Sequence, residues 1–257
     1  DMNNMAVLFD LDGVIYQGNR LIRGAKETIS CLDAHNIPYR FITNTSRMTT
    51  GKLVSKIKNF GLSVNENHIF SAPLAAIEYC RSKSISKIRL VVPDNEMIEA
   101  FKEFTITDKD PQAVIIGDMG GNFTFSLLNN IFLHLLHGAE CVALHKNKFW
   151  NSGECLTLDL GAFIAALEYA SGREAVIVGK PSPLLFRLAS LHWKLPMNHI
   201  YMIGDDIDSD IAGGREAGMK TVLVQTGKFR KDTLDRALFP PDFVIPSVAG
   251  VPALLGV

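Results

Sequence analysis

Residues 6–13 read Ala-Val-Leu-Phe-Asp-Leu-Asp-Gly, and this stretch decides the fold. Four successive apolar residues are typical of a strand that is buried on both faces of a parallel sheet. Asp10 and Asp12 follow directly, and Gly13 permits a turn that can bring both carboxylates to one place. Ligands of open parallel sheets bind beyond the carboxyl ends of the strands, so chemistry is expected here. Asp-x-Asp-Gly is also common in turns and helix caps, so this motif alone leaves a structural role open.

The rest of the chain repeats an alternation of short apolar runs and helical periods. Further predicted strands cover residues 39–42, 88–92, 113–116, 141–144, 175–178, 199–203, 221–224 and 243–245. Predicted helices cover residues 25–35, 50–59, 72–83, 96–101, 125–137, 160–170, 184–191 and 209–218. Strands that alternate with helices in this way predict an α/β architecture with mainly parallel sheets.

The composition excludes several classes of protein. The chain has 257 residues, of which 47% are hydrophobic and 21% charged, and its formal net charge is −1. The apolar fraction argues against disorder and collagen-like repeats. The net charge near zero gives no sign of a basic surface that would bind nucleic acid or an anionic membrane. The length suits one large domain or two modest ones. Four widely spaced cysteines without a C-x-x-C motif predict free thiols in a cytoplasmic protein.

A second acidic motif follows the predicted strand at 199–203. Asp205, Asp206 and Asp210 come at the point where this strand ends and the next helix begins. Carboxylates in such a position suit Mg²⁺, which takes one or two of them and keeps several waters. Acidic residues also favour helix N-termini, so a capping role is an alternative.

Two other strand ends carry groups that can bind an anion. Lys180 lies in a Gly-Lys-Pro loop and offers an ammonium group to phosphate oxygens, although an exposed loop lysine is an alternative. Thr43 and Asn44 offer hydroxyl, amide and backbone donors, or else mark the start of a helix.

All four groups follow strands, so we expect them at one edge of the sheet. Acidic residues that bind a cation, next to groups that bind an anion, are what phosphoryl transfer needs, because positioning and charge neutralisation supply most of its catalysis. Asp10 is then the predicted nucleophile and forms an aspartyl-phosphate. Asp12 is the predicted general acid toward the leaving oxygen and the later base for water.

The motifs and their order resemble the haloacid dehalogenase-like hydrolase superfamily. The long gap between Thr43 and Lys180 resembles the branch with a large α/β cap between its second and third motifs. Within that branch the sequence is similar to the phospholysine phosphohistidine inorganic pyrophosphate phosphatase group, in residues 41–46, 143–146, 165–170, 178–181 and 202–206. The resemblance implies a Rossmann-like parallel-sheet core, residues 1–76 and 176–257, with an inserted smaller α/β cap domain, residues 77–175.

The resemblance also implies a role for each matched residue. Asp10, Asp12 and Asp205 would bind Mg²⁺, with Asp12 using its backbone carbonyl. Asp206 and Asp210 would support the metal or its waters. Phosphate binding would fall to Thr43, Asn44 and Lys180. Asp12 favours a phosphatase over a dehalogenase, which needs neither the metal nor a second acid.

We therefore predict a Mg²⁺-dependent phosphatase that hydrolyses a small phosphorylated metabolite through an aspartyl-phosphate. The alternatives are a phosphotransferase or phosphomutase on the same scaffold and a non-catalytic regulatory binding protein. His145 and Lys146 are candidate specificity residues of the cap, or else part of a solvated loop. We expect neither a nucleic-acid nor a membrane partner. The oligomeric state is left open. A homodimer through the cap is one alternative, in which the helix at 125–137 would join the interface, and burial of that helix inside the cap is the other.

Overall fold

The computed structural model describes residues 4–45, 48–93, 95–151 and 155–257, and the side chains of residues 95, 150 and 151 lie outside that description. The strands are β1 (Ala6–Asp10), β2 (Tyr16–Gln17), β3 (Arg20–Leu21), β4 (Tyr39–Thr43), β5 (Ile69–Ser71), β6 (Lys87–Val91), β7 (Thr105–Ile106), β8 (Ala113–Ile116), β9 (Glu140–Ala143), β10 (Phe149–Asn151), β11 (Leu156–Leu158), β12 (Val176–Ile177), β13 (Ile200–Gly204), β14 (Lys220–Val224) and β15 (Phe243–Ile245). The helices are α1 (Ala25–Ala34), α2 (Thr50–Asn59), α3 (Ala72–Ser82), α4 (Asn95–Ala100), α5 (Phe125–Leu136), α6 (Leu160–Ser171), α7 (Pro183–Ser190), α8 (Ala212–Glu216), α9 (Lys231–Asp235) and α10 (Val251–Leu255).

The chain divides into two compact units. The first unit consists of Asp1–Thr43, Thr50–Phe70 and Lys180–Val257, and the inserted unit consists of Asn44–Thr49 and Ser71–Gly179. The chain passes from the first unit into the long segment of the inserted unit at 70/71 and returns at 179/180. The predicted boundaries at 76/77 and 175/176 differ from these by about six and four residues. Those domain boundaries stay a prediction.

The first unit is built on a six-stranded sheet in the order β15-β14-β13-β1-β4-β5. β1 pairs in parallel with β4 on one side and with β13 on the other, and β14 and β15 continue the parallel ladder. The chain therefore winds outward from β1 in one direction and later returns to wind outward in the other. Ligand sites of open parallel sheets lie where the winding reverses, which here is at the carboxyl ends of β1 and β13.

The central position of β1 explains its sequence. Ala6 to Phe9 have no exposed surface at all, because both faces of the sheet are covered and both edges of the strand are paired. A strand in this position needs a continuous apolar run rather than alternation. The predicted α/β fold with parallel sheets is confirmed, and β1 is one residue longer than predicted, since it includes Asp10.

The inserted unit has its own five-stranded sheet in the order β12-β9-β8-β6-β7, with parallel pairs throughout. α5 and α6 pack on it through an apolar cluster that includes Ile131 and Ile164. α5 buries one face only, because Phe125 is 85% exposed and Leu136 is 51% exposed. One face of this helix is thus buried inside the unit, and a homodimer interface on its exposed face stays a prediction.

The α-helix predicted at 209–218 was wrong at residues 209–211. A π-helical turn covers Ile207–Ile211, and α8 follows it. The turn begins early because the side chain of Asp206 accepts the backbone N–H groups of Asp208 and Ser209. The sequence patterns also missed the short hairpins β2–β3 and β10–β11, whose strands have only two or three residues.

Among the described residues, no helix is both long enough and apolar enough to cross a bilayer.

We expect the four cysteines to differ strongly in reactivity. Cys80 and Cys141 are buried, and burial raises the pKa of each thiol to about 12. Against an ordinary thiol pKa of about 8.5, this lowers the thiolate fraction near pH 7 about a thousandfold. Cys155 is exposed, and Cys31 is half-buried. Timed alkylation with peptide mass mapping should therefore label Cys155 first and the two buried cysteines only after denaturation, and early labelling of Cys80 would contradict the burial described.

Candidate active site

A buried ion-pair network lies at the carboxyl end of β1. Asp10 ends this strand, and Lys180 donates from Nζ to Oδ1 of Asp10 at 2.7 Å and to Oδ1 of Asp210 at 2.8 Å. The three side chains are at most 11% exposed. Burial alone would lower the pKa of Lys180, but the two carboxylates outweigh it and raise that pKa above its ordinary value. The lysine is therefore held as a charged ammonium.

Three carboxylates meet at this place. Each of Asp10, Asp205 and Asp210 has a carboxylate oxygen within 4.8 Å of one from the other two, and all three residues are buried. Burial and the charge of Asp10 raise the pKa of Asp210 to about 7. Burial raises the pKa of Asp205 to about 6 against the opposing hydrogen bond from Lys228. One buried ammonium does not balance three buried carboxylates, so the cluster favours a further cation.

The two oxygens of Asp205 differ in their surroundings, and the difference fits a metal ligand. Oδ2 accepts the backbone N–H of Lys228 at 2.7 Å. Oδ1 is buried and has no hydrogen-bond partner among the residues that the structure describes. A buried oxygen left without a partner is costly, and a divalent cation would supply the missing interaction. This orphaned oxygen is the observation that best supports a Mg²⁺ site.

Asp210 supports the cluster differently. Its Oδ1 accepts Lys180, and its Oδ2 accepts the backbone N–H groups of Asp205 and Asp206, each at 3.2 Å. Both oxygens are therefore engaged within the protein. A carboxylate in that state orients Lys180 and the loop after β13, and its predicted role beside a metal stays a prediction.

Glycines make room for these carboxylates. Gly13 has a φ of +87° and Gly227 has a φ of +61°, and a Cβ at either position would overlap Oδ2 of Asp205. A Cβ at Gly204 would overlap the side chain of Asp210. Glycine readily adopts a left-handed backbone and has no Cβ. Gly13 and Gly227 therefore leave the space that the carboxylate of Asp205 occupies, which we call the Asp205 slot.

The other predicted residues of the first motifs occupy different positions. Asp12 lies in the turn after β1 with an exposed side chain. Thr43 ends β4, next to Ile42, which is the register partner of Asp10. Asn44 belongs to the inserted unit, where its Oδ1 lies against Gly179. The structure thus joins Asp10, Lys180, Asp205 and Asp210 in one network, whereas the roles of Asp12, Thr43 and Asn44 stay predictions.

A segment after β14 completes the site, and the sequence patterns missed it. Lys228 donates a hydrogen bond from Nζ to Oδ2 of Asp206 at 3.3 Å. Burial would raise the pKa of Asp206, but Lys228 and the N–H groups of the π-helical turn outweigh it and lower that pKa. The hydroxyl of Thr226 donates to the carbonyl oxygen of Gly13 at 2.6 Å. Polar residues directly after a predicted strand were the available signal, the same one that identified the four other groups.

The two candidate specificity residues follow β9 in the inserted unit. His145 is buried, and its Nε2 lies 3.8 Å from Oδ1 of Asp159. Lys146 donates from Nζ to Oε2 of Glu168 at 2.5 Å. The loop is therefore an ordered part of the inserted unit, and a role for either residue in specificity stays a prediction.

Comparison with known proteins identifies the family of this chain. A family model described as haloacid dehalogenase-like hydrolase matches residues 7–107, and a second model of HAD-like hydrolases matches residues 177–251. The haloacid dehalogenase-like hydrolase domain-containing protein 2 of Bos taurus is 35% identical over 90% of this chain and 88% of its own length. The phospholysine phosphohistidine inorganic pyrophosphate phosphatase of Homo sapiens is 33% identical over 87% and 84%.

Solved structures give the same picture. The 4-nitrophenylphosphatase from Thermotoga maritima has a TM-score of 0.88 and 26% identity, and covers 98% of this chain and 97% of its own. The p-nitrophenyl phosphatase from Archaeoglobus fulgidus has the same TM-score and identity and covers 98% and 99%. With a parallel sheet, an aspartate cluster at its point of reversal and relatives matched over nearly their full length, the chain belongs to the haloacid dehalogenase-like hydrolase family, in a group whose named members include phosphatases.

Proposed function

We propose that the protein is a Mg²⁺-dependent phosphatase of small phosphorylated compounds, with Asp10 as its nucleophile. The observation that carries this proposal is the buried network in which Lys180 bridges Asp10 and Asp210, while Oδ1 of Asp205 has no hydrogen-bond partner within the described part of the chain. The network combines a carboxylate nucleophile, a fixed ammonium and ligands for a divalent cation, all at the reversal point of the sheet. These are the components of phosphoryl transfer.

In the first step, an oxygen of Asp10 attacks phosphorus, and the bond from phosphorus to the leaving oxygen breaks. Oδ1 of Asp10 holds the hydrogen bond to Lys180, which leaves Oδ2 for the attack. Asp12 gives its proton to the leaving oxygen. Its exposed position in the turn after β1 suits a group that exchanges protons with substrate and water.

In the second step, water attacks the phosphorus of the aspartyl-phosphate. Asp12 takes a proton from this water, the bond from phosphorus to Asp10 breaks, and inorganic phosphate leaves. Lys180 retains its charge through both steps and stabilises negative charge on the transferring group. Mg²⁺ held by Asp10, Asp205 and the backbone carbonyl of Asp12 would supply further charge neutralisation and alignment.

The test is hydrolysis of p-nitrophenyl phosphate and of pyrophosphate, substrates that the names of the relatives suggest, with Mg²⁺ and with excess EDTA. We expect phosphate release with Mg²⁺ and a loss of at least about a hundredfold with EDTA. A phosphotransferase would instead require a second acceptor, and added sugars or alcohols would then raise turnover above hydrolysis. No turnover of a broad panel of phosphate esters, with Mg²⁺ bound, would favour a regulatory binding protein.

Stability should respond to Mg²⁺ more strongly at high pH. The pKa values of Asp205 and Asp210, about 6 and about 7, lie above their ordinary value of 3.8. The metal-free folded state thus binds more protons than the unfolded chain between about pH 4 and 7, so its stability falls as pH rises through that range. Mg²⁺ binds the deprotonated carboxylates, so its affinity should be lower at pH 5.5 than at pH 8, by up to about tenfold. Thermal-shift titrations at both values measure this, with NaCl of equal ionic strength as control, and equal Mg²⁺ shifts would contradict it.

Gly13→Ala should damage the site while leaving most of the fold intact. The left-handed backbone destabilises an alanine by roughly 1–2 kcal/mol, and the new Cβ displaces Oδ2 of Asp205. A displacement near 1 Å at a reacting centre lowers the rate about a hundredfold. Gly18→Ala is the matched control, since Gly18 has a φ of +59° with nothing within 4 Å of its would-be Cβ. Similar kcat values for the two variants would show that catalysis does not depend on the space beside Gly13 that Asp205 occupies.

Two other expectations stay predictions. A homodimer through the inserted unit is supported by the exposed side chains of Phe125 and Leu136 on α5. A cytoplasmic location is supported by four cysteines that are free thiols.

A further inference from the structure

The segment Thr226–Lys228 after β14 joins the two loops that carry the candidate metal ligands. The hydroxyl of Thr226 donates to the carbonyl oxygen of Gly13, at 2.6 Å, in the turn after β1. Two residues later, the backbone N–H of Lys228 donates to Oδ2 of Asp205, at 2.7 Å, in the loop after β13. The segment is thus bonded to both loops at once.

The loops that it joins flank the reversal point of the sheet. The turn after β1 is closed by its own hydrogen bond, from the N–H of Gly13 to the carbonyl oxygen of Tyr16 at 2.7 Å. That bond fixes the turn internally but does not connect it to β13. Thr226 links this turn to the segment after β14, because its hydroxyl donates to the carbonyl oxygen of Gly13. Gly13 is the residue after Asp12, whose own carbonyl is a proposed metal ligand. Besides the direct pairing of β1 with β13, the two acidic motifs are therefore also linked through the segment after β14.

The chemistry of the cation makes that distance important. Mg²⁺ requires nearly ideal octahedral geometry with oxygen ligands at about 2.0–2.1 Å, whereas Ca²⁺ accepts about 2.3–2.6 Å and irregular geometry. Ligands on two separate loops satisfy Mg²⁺ only if the loops keep a fixed spacing. Mutation of a residue that hydrogen-bonds to the metal ligands and holds them in place commonly lowers metal affinity by about 10–100-fold.

We propose that Thr226 is a positioning residue that sets the spacing of the two acidic loops and so favours Mg²⁺ over Ca²⁺. The inference rests on the proposed function, because it assumes that Asp205 and the turn after β1 share one cation. Thr226 does not touch the substrate in this account. It acts through Gly13 on one loop, while the N–H of Lys228 acts on the other.

Three variants test this proposal by direct measurement of metal affinity in the full-length chain. Thr226→Val keeps the shape and removes the hydroxyl, and Thr226→Ser restores the hydroxyl. Thr233→Val is the matched control, a half-buried threonine on α9 outside the network. Each variant is stripped with EDTA, its melting temperature recorded, and then titrated calorimetrically with MgCl₂ or CaCl₂.

We expect Thr226→Val to weaken Mg²⁺ binding about tenfold and Ca²⁺ binding less than about threefold. Thr226→Ser and Thr233→Val should bind both ions like the unmodified protein. Unchanged Mg²⁺ affinity in Thr226→Val, equal losses for both ions, or an equal loss in Thr226→Ser would each overturn the proposal. Should Thr226→Val not fold, Thr226→Ala gives the same comparison. If the unmodified protein binds no Mg²⁺, the proposed function itself fails, and that outcome is distinct from the others.

Discussion

Asp10→Asn lowers kcat for phosphate-ester hydrolysis by at least about a thousandfold, the scale seen when a nucleophile is removed. The carboxamide has nearly the same shape, and its oxygen can still accept the hydrogen bond that Lys180 gives to Oδ1 of Asp10. It cannot form an aspartyl-phosphate. Binding of phosphate by the rest of the site should persist, so the loss appears in kcat rather than in KM.

The same substitution should leave the metal-free protein about as stable as before. Removal of the charge of Asp10 relieves its repulsion of Asp205 and Asp210, and this offsets the attraction to Lys180 that is lost, while Lys180 keeps its ion pair with Asp210. The combination of lost turnover and an undiminished melting temperature in EDTA separates a chemical role from a structural one. Asp208→Asn is the control, an exposed acid in the turn after β13, and should keep full activity. Retention of a tenth of the activity in Asp10→Asn would exclude Asp10 as the nucleophile.

Lys180→Met should be the most destabilising single change at the site. The methionine keeps much of the apolar stem but leaves the carboxylates of Asp10 and Asp210 buried without their ammonium. Removal of one partner from a buried ion pair destabilises by about 3–5 kcal/mol. At roughly 2–4 °C per kcal/mol for a chain of this size, the melting temperature falls by about 6–20 °C. Activity should be lost as well, because the stabilising charge on the transferring phosphate is gone.

A second variant identifies the cause of that loss. Asp210→Asn added to Lys180→Met removes one of the two stranded charges and should recover part of the melting temperature, but none of the activity. The destabilisation should also diminish as pH falls, since protonation neutralises the stranded carboxylates. Lys220→Met, at an exposed lysine of β14, is the control and should melt like the unmodified protein. Equal melting temperatures for Lys180→Met and Lys220→Met would show that the buried network contributes little.

The sequence predicted the site well where one rule applied, namely that polar residues just after an apolar run lie at one edge of a parallel sheet. Asp10, Lys180 and Asp205 obey this rule, and the structure brings them together. Thr226 and Lys228 obey it too, yet a Thr-Gly-Lys sequence has no pattern that distinguishes it from an ordinary turn. Their importance comes from what they contact in the fold, namely Gly13 and Asp205.

Helical periodicity failed where side-chain hydrogen bonds within one loop shape the backbone. Around the π-helical turn at Ile207–Ile211, Asp206 accepts the N–H groups of Asp208 and Ser209, and Asp210 accepts those of Asp205 and Asp206. Helical periodicity cannot express that wider turn. The hairpin β10–β11 was missed for another reason. Its strands have three residues each, which is too few for an alternating pattern to be recognised.

The central position of β1 has a consequence for synthesis on the ribosome. Ala6 pairs with Ile200, so one edge of this buried strand has no partner until β13 has been translated. At about 5–20 residues per second, that interval lasts roughly 10–40 seconds. The segment Ser71–Gly179, most of the inserted unit, is contiguous and is complete before then. We therefore expect the nascent chain to fold from its middle outward, with its first strand dependent on chaperones until the late strands emerge.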